Sequence, residues 1–272
     1  MGCFAWLNRH PKPVSAEQPT MKSGVVYLHG FPPFPHVYSI SPFFLKVESF
    51  LRLHNIPYEC RWVHKPGKKG QIPYVIFDGE EIDDSNVIIP QLKARFSVDC
   101  DKDIPASERA VGHAMMRMIE EHTIQIGFYY RYGLHMDRFF EVLDPPRAFD
   151  TRTSLEKRFI VGFGMRRLQP WITNRKMSMR GLKAHSDQEL WGFSNDDLAA
   201  ISGYLGNRPY FHGEQATTTD CMLFGHLVQF LDIPMDYPQK RFLKESCPNV
   251  VALVERFRAA HWPDWSSKCA SL

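Results

Sequence analysis

No stretch of the chain approaches the roughly 18 consecutive apolar residues that a membrane-spanning helix needs. The most apolar segment, around Cys221 to Leu231, is interrupted by His226 and Gln229, so a spanning protein is not expected. A strong charge of one sign is also missing. The net charge is +3, the pI is near 8.5, and the basic residues are mostly scattered; this argues against nucleic acid as a partner. The six cysteines (Cys3, Cys60, Cys100, Cys221, Cys247 and Cys269) stand far apart with no C-x-x-C pair. That spacing excludes a disulfide framework and a cysteine-held metal. The first residues do not read as a signal peptide, so free thiols in a reducing, cytoplasmic setting are expected. His64, His113, His122 and His135 lack metal-ligand spacing, and no metal site is expected.

What the chain does have is apolar material for a core. It holds 272 residues, 44% of them hydrophobic and 13% aromatic, enough for one or two domains. Residues 1–22 carry Pro11, Pro13 and Pro19 with little apolar content after Leu7 and read as a disordered tail. Both ends carry weak lipidation patterns. Met1-Gly2-Cys3 resembles an acylation start, although Trp6 stands where Ser or Thr is wanted. Cys269-Ala270-Ser271-Leu272 has the spacing of a prenylation box, although Ser271 is not aliphatic. Peripheral membrane attachment would follow only if Cys3 or Cys269 were lipidated.

From residue 23 the pattern becomes regular. Val25 to Leu28 is a short β-branched strand, and Gly30 to Pro35 is a stiff, proline-rich loop. Ser41-Pro42 then opens a helix, with the serine as N-cap and the proline in the first turn. Phe43, Val47, Phe50 and Leu51 give that helix one buried face. Ile56 to Val63 reads as a second strand. Pro73 precedes a third, where it cannot donate to a ladder and fits only at a strand entrance or edge, in cis if the chain turns sharply. Asp78-Gly79 between two apolar runs is a hairpin signal, and Asp84-Ser85 starts another helix. Pro90 falls beyond that helix's first turn, so it should kink the helix or remove a hydrogen bond. The order up to residue 96 is therefore β-α-β-loop-β-β-α. Residues 97–106 are a polar linker. Beyond them the spacing is helical, from a Ser107 cap along Ala110, Val111, Ala114, Met115, Met118, Ile119 and His122. Later helices are expected near Ser154, Asp187, Thr217 and Pro248, with 266–272 as a tail. Asp144-Pro145-Pro146 should break the first long run, and Thr217 with Asp220 is a capping-box variant.

Two features carry chemistry. A strand entrance at Ile72-Pro73 can expose the N–H and C=O of Ile72 to hold a peptide backbone. The free N–H groups and positive end of the helix opening at Asp84-Ser85 would attract a carboxylate. The plainer reading is a hairpin followed by a capped helix.

Gly70-Gln71-Ile72-Pro73 followed by Asp84-Ser85 resembles the glutathione-binding signature of the glutathione transferase superfamily. In the second half, Arg180-Gly181, His185-Ser186, Glu189-Leu190, Leu205-Gly206-Asn207-Arg208-Pro209-Tyr210-Phe211 and Thr217 to Leu227 are similar to the branch holding the failed-axon-connections proteins, the metaxins and the nematode cadmium-responsive proteins. The resemblance covers roughly residues 24–260. It implies a thioredoxin-like α/β domain at 23–96, an all-α domain at 107–265, and glutathione as co-substrate. Ile72 would clamp the cysteinyl backbone and Pro73 would set its geometry. Asp84 and Ser85 would hold the γ-glutamyl end, with Gln71 and Lys69 on the glycyl side. The thiolate would be stabilised by Ser41, which stands where omega-type members have cysteine, by Tyr27 at the end of the first strand, or by neither. With serine at 41, thiol–disulfide exchange through that residue is ruled out. Arg117, Glu121, His122, Tyr129 and Tyr130 would line a pocket between the domains for a small apolar or electrophilic molecule. A homodimer and a detoxification or stress role are further implications. The reading from a different class is a non-catalytic binding or scaffold protein of the metaxin type.

Overall fold

The computed structural model describes residues 21–63, 65–148 and 160–269. The helix expected near Ser154, the lipidation pattern at Cys3 and residues 270–272 lie outside them. Strands β1 (Val26–Gly30), β2 (Tyr58–Trp62), β3 (Tyr74–Phe77) and β4 (Glu80–Asp83) form a single sheet in the order β2-β1-β3-β4. β1 runs parallel to β2, which its intervening helix α1 (Pro42–Leu53) makes possible, and antiparallel to β3. The hairpin from β3 to β4 turns at Asp78 and Gly79, both at positive φ (46° and 85°), the two-residue turn whose twist matches the flanking strands. Helix α2 (Ser85–Phe96) closes this thioredoxin-like domain.

Side chains alternate across β1. Val26 and Leu28 enter the core with Phe44, Val47, Phe50 and Leu92. Tyr27 and His29 face the other way; Arg61 lies 4.9 Å from the Tyr27 ring, and His29 stacks on Tyr74 at 4.3 Å. Pro90 sits inside α2 on its exposed side. The helix runs through it, and the cost is local, because a proline cannot donate to the carbonyl of Asn86 four residues earlier.

The second half is helical. α3 (Ala106–Met118) starts after Pro105, which gives no side-chain cap, so the Ser107 cap expected from the sequence is corrected; Ser107 lies inside the first turn. The helix continues through a π-helical turn at Ile119–Thr123, α4 (Ile124–Phe128) and a second π turn at Tyr129–Leu134. Then follow α5 (Met136–Leu143), α6 (Pro145–Ala148), a third π turn at Ile160–Gly164, α7 (Met165–Met179), α8 (Asp187–Leu205), α9 (Thr218–Leu231), α10 (Pro238–Ser246), α11 (Pro248–His261) and α12 (Trp265–Lys268). Residues 266–268, expected in a tail, belong to α12. Trp262 and Trp265 are buried beside Tyr38; Trp262 Nε1 donates to Ser49 Oγ at 3.1 Å, and Arg52 holds Asp264 with two hydrogen bonds of 2.7 and 3.0 Å.

The domains meet where α1 crosses α9. α9 is buried along nearly its whole length, and Asp220 fixes its start by accepting from Thr217 N–H and Oγ1 and from Phe211 N–H at 2.7–2.8 Å. The closest approach is at Gly225, where an added Cβ would lie 2.6 Å from the Pro42 carbonyl and 2.8 Å from the Lys46 nitrogen. No flexible side chain is there to give way. Gly225→Ala should therefore push α1 from α9 and lower stability by about 1–3 kcal/mol, the usual cost of overpacking. Urea denaturation would check this; an unchanged midpoint would mean that the crossing is slack.

Candidate functional site

The turn from β4 into α2 is built around Asp84, whose backbone stands at φ 78°, ψ 120°. Positive φ is costly for any residue with a Cβ, and such strain gathers at ligand sites. Asp84 Oδ1 accepts from Asn86 N–H at 2.9 Å and so caps α2, while Ser85 is buried directly beneath. Leading up to this turn is the loop ending at Gln71, where Gly67 N–H donates to the Gln71 carbonyl at 3.0 Å. Gln71 and Lys69 are exposed, Ile72 is half-buried and Pro73 is buried, with a cis bond between the last two.

A buried polar cluster stands behind Ser85. Lys46 Nζ, reaching across from α1, donates to Glu120 Oε1 at 2.5 Å, to Asn86 Oδ1 at 2.7 Å and to Ser85 Oγ at 3.5 Å. Asn86 Nδ2 donates to Glu120 Oε2 at 3.1 Å, and Arg117 Nη2 to Asn86 Oδ1 at 2.6 Å. Lys46 and Glu120 are 2% and 1% exposed. Burial pulls the Lys46 pKa down, against the pull of Glu120. Burial alone would push the Glu120 carboxyl up, but Lys46 together with His226 and the Asn86 hydrogen bond outweighs it and sets the carboxyl below its ordinary value. His226 lies close by in α9, fully buried and pushed by burial down to about 4, so it is neutral at physiological pH. Its Nδ1 is 2.8 Å from the Met222 carbonyl.

Ser41 caps α1: its Oγ accepts from Phe44 N–H at 3.3 Å, and its own N–H donates to Ser39 Oγ at 3.2 Å. Ser41 is 7% exposed. Accepting a capping bond uses one oxygen lone pair and leaves the O–H free to donate, so capping and thiolate stabilisation are compatible. The carbonyls just before Ser41 are held from the helical domain. Gln229 Nε2 donates to Ser39 O at 2.9 Å, and Arg131, itself buried, reaches Ile40 O at 3.5 Å. Arg131 also donates to Tyr237 OH at 2.7 Å and to Gln229 Oε1 at 3.2 Å. Tyr27 is placed otherwise: its hydroxyl accepts from Lys22 N–H at 2.7 Å on the sheet face away from α1.

The five residues expected to line a pocket between the domains separate. Arg117 comes to the α2 turn. Glu121 is exposed and pairs with Arg180 at 3.1 Å. His122 Nδ1 lies 2.7 Å from Asp197 Oδ2 on α8. Tyr129 donates to Asp187 at 3.0 Å and accepts from Lys183. Tyr130 donates to the Asp236 carbonyl at 2.8 Å and packs on Tyr237; both of those residues line a groove of about 680 Å³ between α8 and α10. The reason lies in the π turns, each of which inserts a residue and rotates the face that follows. An α-helical count carried through residue 119 therefore picks the wrong face. Lys46, Asn86, Glu120, Arg131 and Gln229 were not singled out for the site by sequence reasoning. The one signal was polar residues at apolar positions: Lys46 on the Phe43–Val47–Phe50 face and Gln229 in the α9 run. Among the described residues no His, Cys, Asp or Glu group gathers as a metal site, and no helix is long and apolar enough to cross a membrane.

Two family models match in order: the glutathione S-transferase N-terminal domain over residues 42–138 and the C-terminal domain over residues 194–257. The chain belongs to the glutathione S-transferase superfamily. Its curated relatives include failed axon connections of Drosophila melanogaster, 34% identical over 91% of this chain; the chain spans only 60% of that protein's length. The isoprene-epoxide glutathione S-transferase of Rhodococcus sp. strain AD45 is 25% identical over 86% of this chain and 98% of its own. A metaxin-1 homologue of Caenorhabditis briggsae matches over 33% of the chain at 28% identity. Among solved structures, a glutathione S-transferase of Ceriporiopsis subvermispora in complex with glutathione aligns with TM-score 0.56 at 16% identity, covering 86% of this chain and 97% of its own. That likeness concerns the fold.

Two outcomes follow. Removing one partner of a buried ion pair leaves an uncompensated charge, so Lys46→Met should cost about 3–5 kcal/mol, and Lys46→Met with Glu120→Gln should recover much of it. Chemical denaturation of the two variants measures both; equal loss in each would mean the pair is not coupled. The second concerns pH. The hydrogen bond from Asp197 raises the His122 pKa above its ordinary 6.5 despite partial burial. The folded state therefore binds His122's proton more tightly than the unfolded chain does. That contribution is complete below pH 6.5 and is lost as pH rises through the raised value. Thermal unfolding scans should show stability falling over that window, and Asp197→Asn should flatten the slope.

Proposed function

We propose that the protein binds glutathione in the cleft bounded by Ile72-Pro73, Asp84-Ser85 and the start of α1, and uses Ser41 to stabilise the thiolate for transfer to a small electrophile. The observation that carries this reading is the left-handed Asp84 backbone above a buried Ser85. A plain hairpin-to-helix turn needs no such conformation; since Asp84 itself takes the Asn86 and Val87 amides, the donors this reading gives an incoming carboxylate are the Ser85 amide and hydroxyl at the head of α2. Arg117 adds a fixed positive charge at the same turn and moves in this reading from the second-substrate pocket to the γ-glutamyl end. Ile72 takes the cysteinyl backbone, and Gln71 and Lys69, both exposed, the glycyl carboxylate. A free thiol titrates near 8.5. A hydroxyl donor at the N-terminus of α1 favours the thiolate and lowers that value. The isoprene-epoxide relative gives the electrophile class: a strained ring opened by the sulfur, with the proton going to the ring oxygen from solvent.

The competing reading is a glutathione-binding scaffold without catalysis. It is favoured by the burial of Ser41 and by the kinship with failed axon connections and metaxin. Calorimetric titration of glutathione separates the two. Asp84→Ala and Arg117→Ala should each weaken binding about tenfold or more. Ser41→Ala should leave binding intact, while the ultraviolet thiolate absorbance of the complex titrates back near the free thiol. No binding by the wild-type protein at millimolar glutathione sinks the proposal. Normal binding without any shift of the thiol, in wild type and variant alike, gives the scaffold.

A further inference from the structure

Between residues 160 and 186 the chain has six cations, Arg166, Arg167, Arg175, Lys176, Arg180 and Lys183, and no aspartate or glutamate. The one comparable run, residues 60–77, has four cations, and the whole chain is only +3. Most of this stretch is α7. Two of the six are neutralised across the fold, Arg166 by Asp137 at 3.5 Å and Arg180 by Glu121 at 3.1 Å. Lys183 rests on Tyr129. Arg167, Arg175 and Lys176 are exposed and have no carboxylate partner among the described residues.

The apolar side chains of α7 are placed the wrong way round for a helix on a soluble core. Thr173 and Met177 form its buried row. Leu168, Trp171, Arg175 and Met179 recur at spacings of three and four residues and so stand in one row on the opposite side. On that side Leu168 is 45% exposed, Trp171 57% and Met179 78%. Arg175 lies 5.5 Å from the Trp171 ring, and Arg167 flanks the row one residue before Leu168. Large apolar residues gathered on a solvent face mark a contact surface rather than chance exposure.

We infer that this face of α7 docks the protein on an anionic lipid surface. The pattern is that of an interfacial helix: an indole and aliphatic chains to enter the headgroup boundary, and guanidinium groups beside them to meet lipid phosphates and carboxylates. The charge decides between occupants. A second copy of the chain would bring the same uncompensated cations against themselves, because a two-fold contact repeats one patch on both sides. An RNA partner would match the charge but would leave Leu168 and Met179 without a use. A bilayer uses both features. It also asks for no spanning helix, in keeping with the described residues, and it is independent of any acyl or prenyl group at the termini.

The test is flotation of the full, unacylated chain with phosphatidylcholine vesicles and with vesicles of phosphatidylcholine and phosphatidylserine. Binding should be confined to the anionic vesicles and weaken as salt is raised. Each surface cation contributes roughly fivefold to partitioning on such a membrane, so Arg167→Gln with Arg175→Gln should weaken binding about 25-fold. Trp171→Ala should weaken it at constant charge. These positions are exposed, and far-ultraviolet dichroism with sedimentation velocity confirms that each variant folds. The inference is overturned if wild type floats equally with both vesicles or with neither, or if the variants float like wild type. It is equally overturned if wild type sediments as a dimer that the variants dissolve, or if single-stranded RNA displaces the vesicles.

Discussion

Arg131 carries a full positive charge into the interior with no carboxylate beside it among the described residues, and the approach to Ser41 is tied to that choice. A buried cation has to be satisfied by dipoles if not by an anion. Here the dipoles are the Ile40 carbonyl, the Gln229 amide and backbone, and the Tyr237 hydroxyl, with the rings of Phe128 and Tyr132 at 5.7 and 5.4 Å. One of those dipoles belongs to the loop that hands β1 to α1. Arg131 thus reaches the Ile40 carbonyl and holds Gln229, which in turn takes the Ser39 carbonyl. An apolar residue at 131 would leave the Ile40 carbonyl without this donor. The turn that leads into Ser41 is therefore held by the second domain, although nothing in the first domain's own sequence says so.

The same arrangement recurs on the other side of the cleft. Lys46, Asn86 and Glu120 come from α1, α2 and the π turn after α3, and none can be satisfied unless all three elements are in register. Between these two polar ties runs the Gly225 crossing, where backbone meets backbone with no side chain between. Apolar packing alone tolerates sliding and repacking. Hydrogen-bonded pairs that need both partners do not, because a half-made network costs more than an apolar one. The cleft is consequently a rigid seam with its polar groups placed in advance, which is what a site needs if it is to bind a small charged peptide without paying to order itself.

Much of the thioredoxin-like half was legible in the sequence because its signals are local. Ser41-Pro42, Pro73, Asp78-Gly79 and Asp84-Ser85 each act within four residues, and the element order they punctuate is the one found. The same held for the Thr217–Asp220 box at the head of α9. The cleft-lining residues of the helical half were not legible, and the failure has a physical form. The reading from Ala110 to His122 assumed 3.6 residues per turn, and the π turn at Ile119–Thr123 breaks that period. Arg117, before the break, points to the first domain. Tyr129 and Tyr130, beyond it, are tied to Asp187 and Asp236. A sequence does not announce a π turn, since the extra residue is set by which side chains the neighbouring helices accept. Nor does it say that a lysine on an otherwise apolar face has an acid waiting 74 positions later.

The strained turn at Asp84 bears on whether this chain kept a site or only a shape. A conformation with positive φ in a residue bearing a Cβ opposes folding, and drift toward a scaffold would release it by placing glycine there for only about a few tenths of a kcal/mol of helix cap. Asp84 instead keeps the strain, at the start of a helix in which the Asn86 carbonyl has lost its donor to Pro90. Two local penalties so close together are hard to reconcile with a surface that merely supports a fold. They are intelligible where the turn must offer, in a fixed direction, a carboxylate for an ammonium group and amides for a carboxylate, as the two charges of an amino-acid end require. On that argument the γ-glutamyl end is the best supported part of the proposed glutathione site. The chemistry at the sulfur, which in the proposed site rests on a single serine hydroxyl, is the part that relatives could lose while retaining the rest.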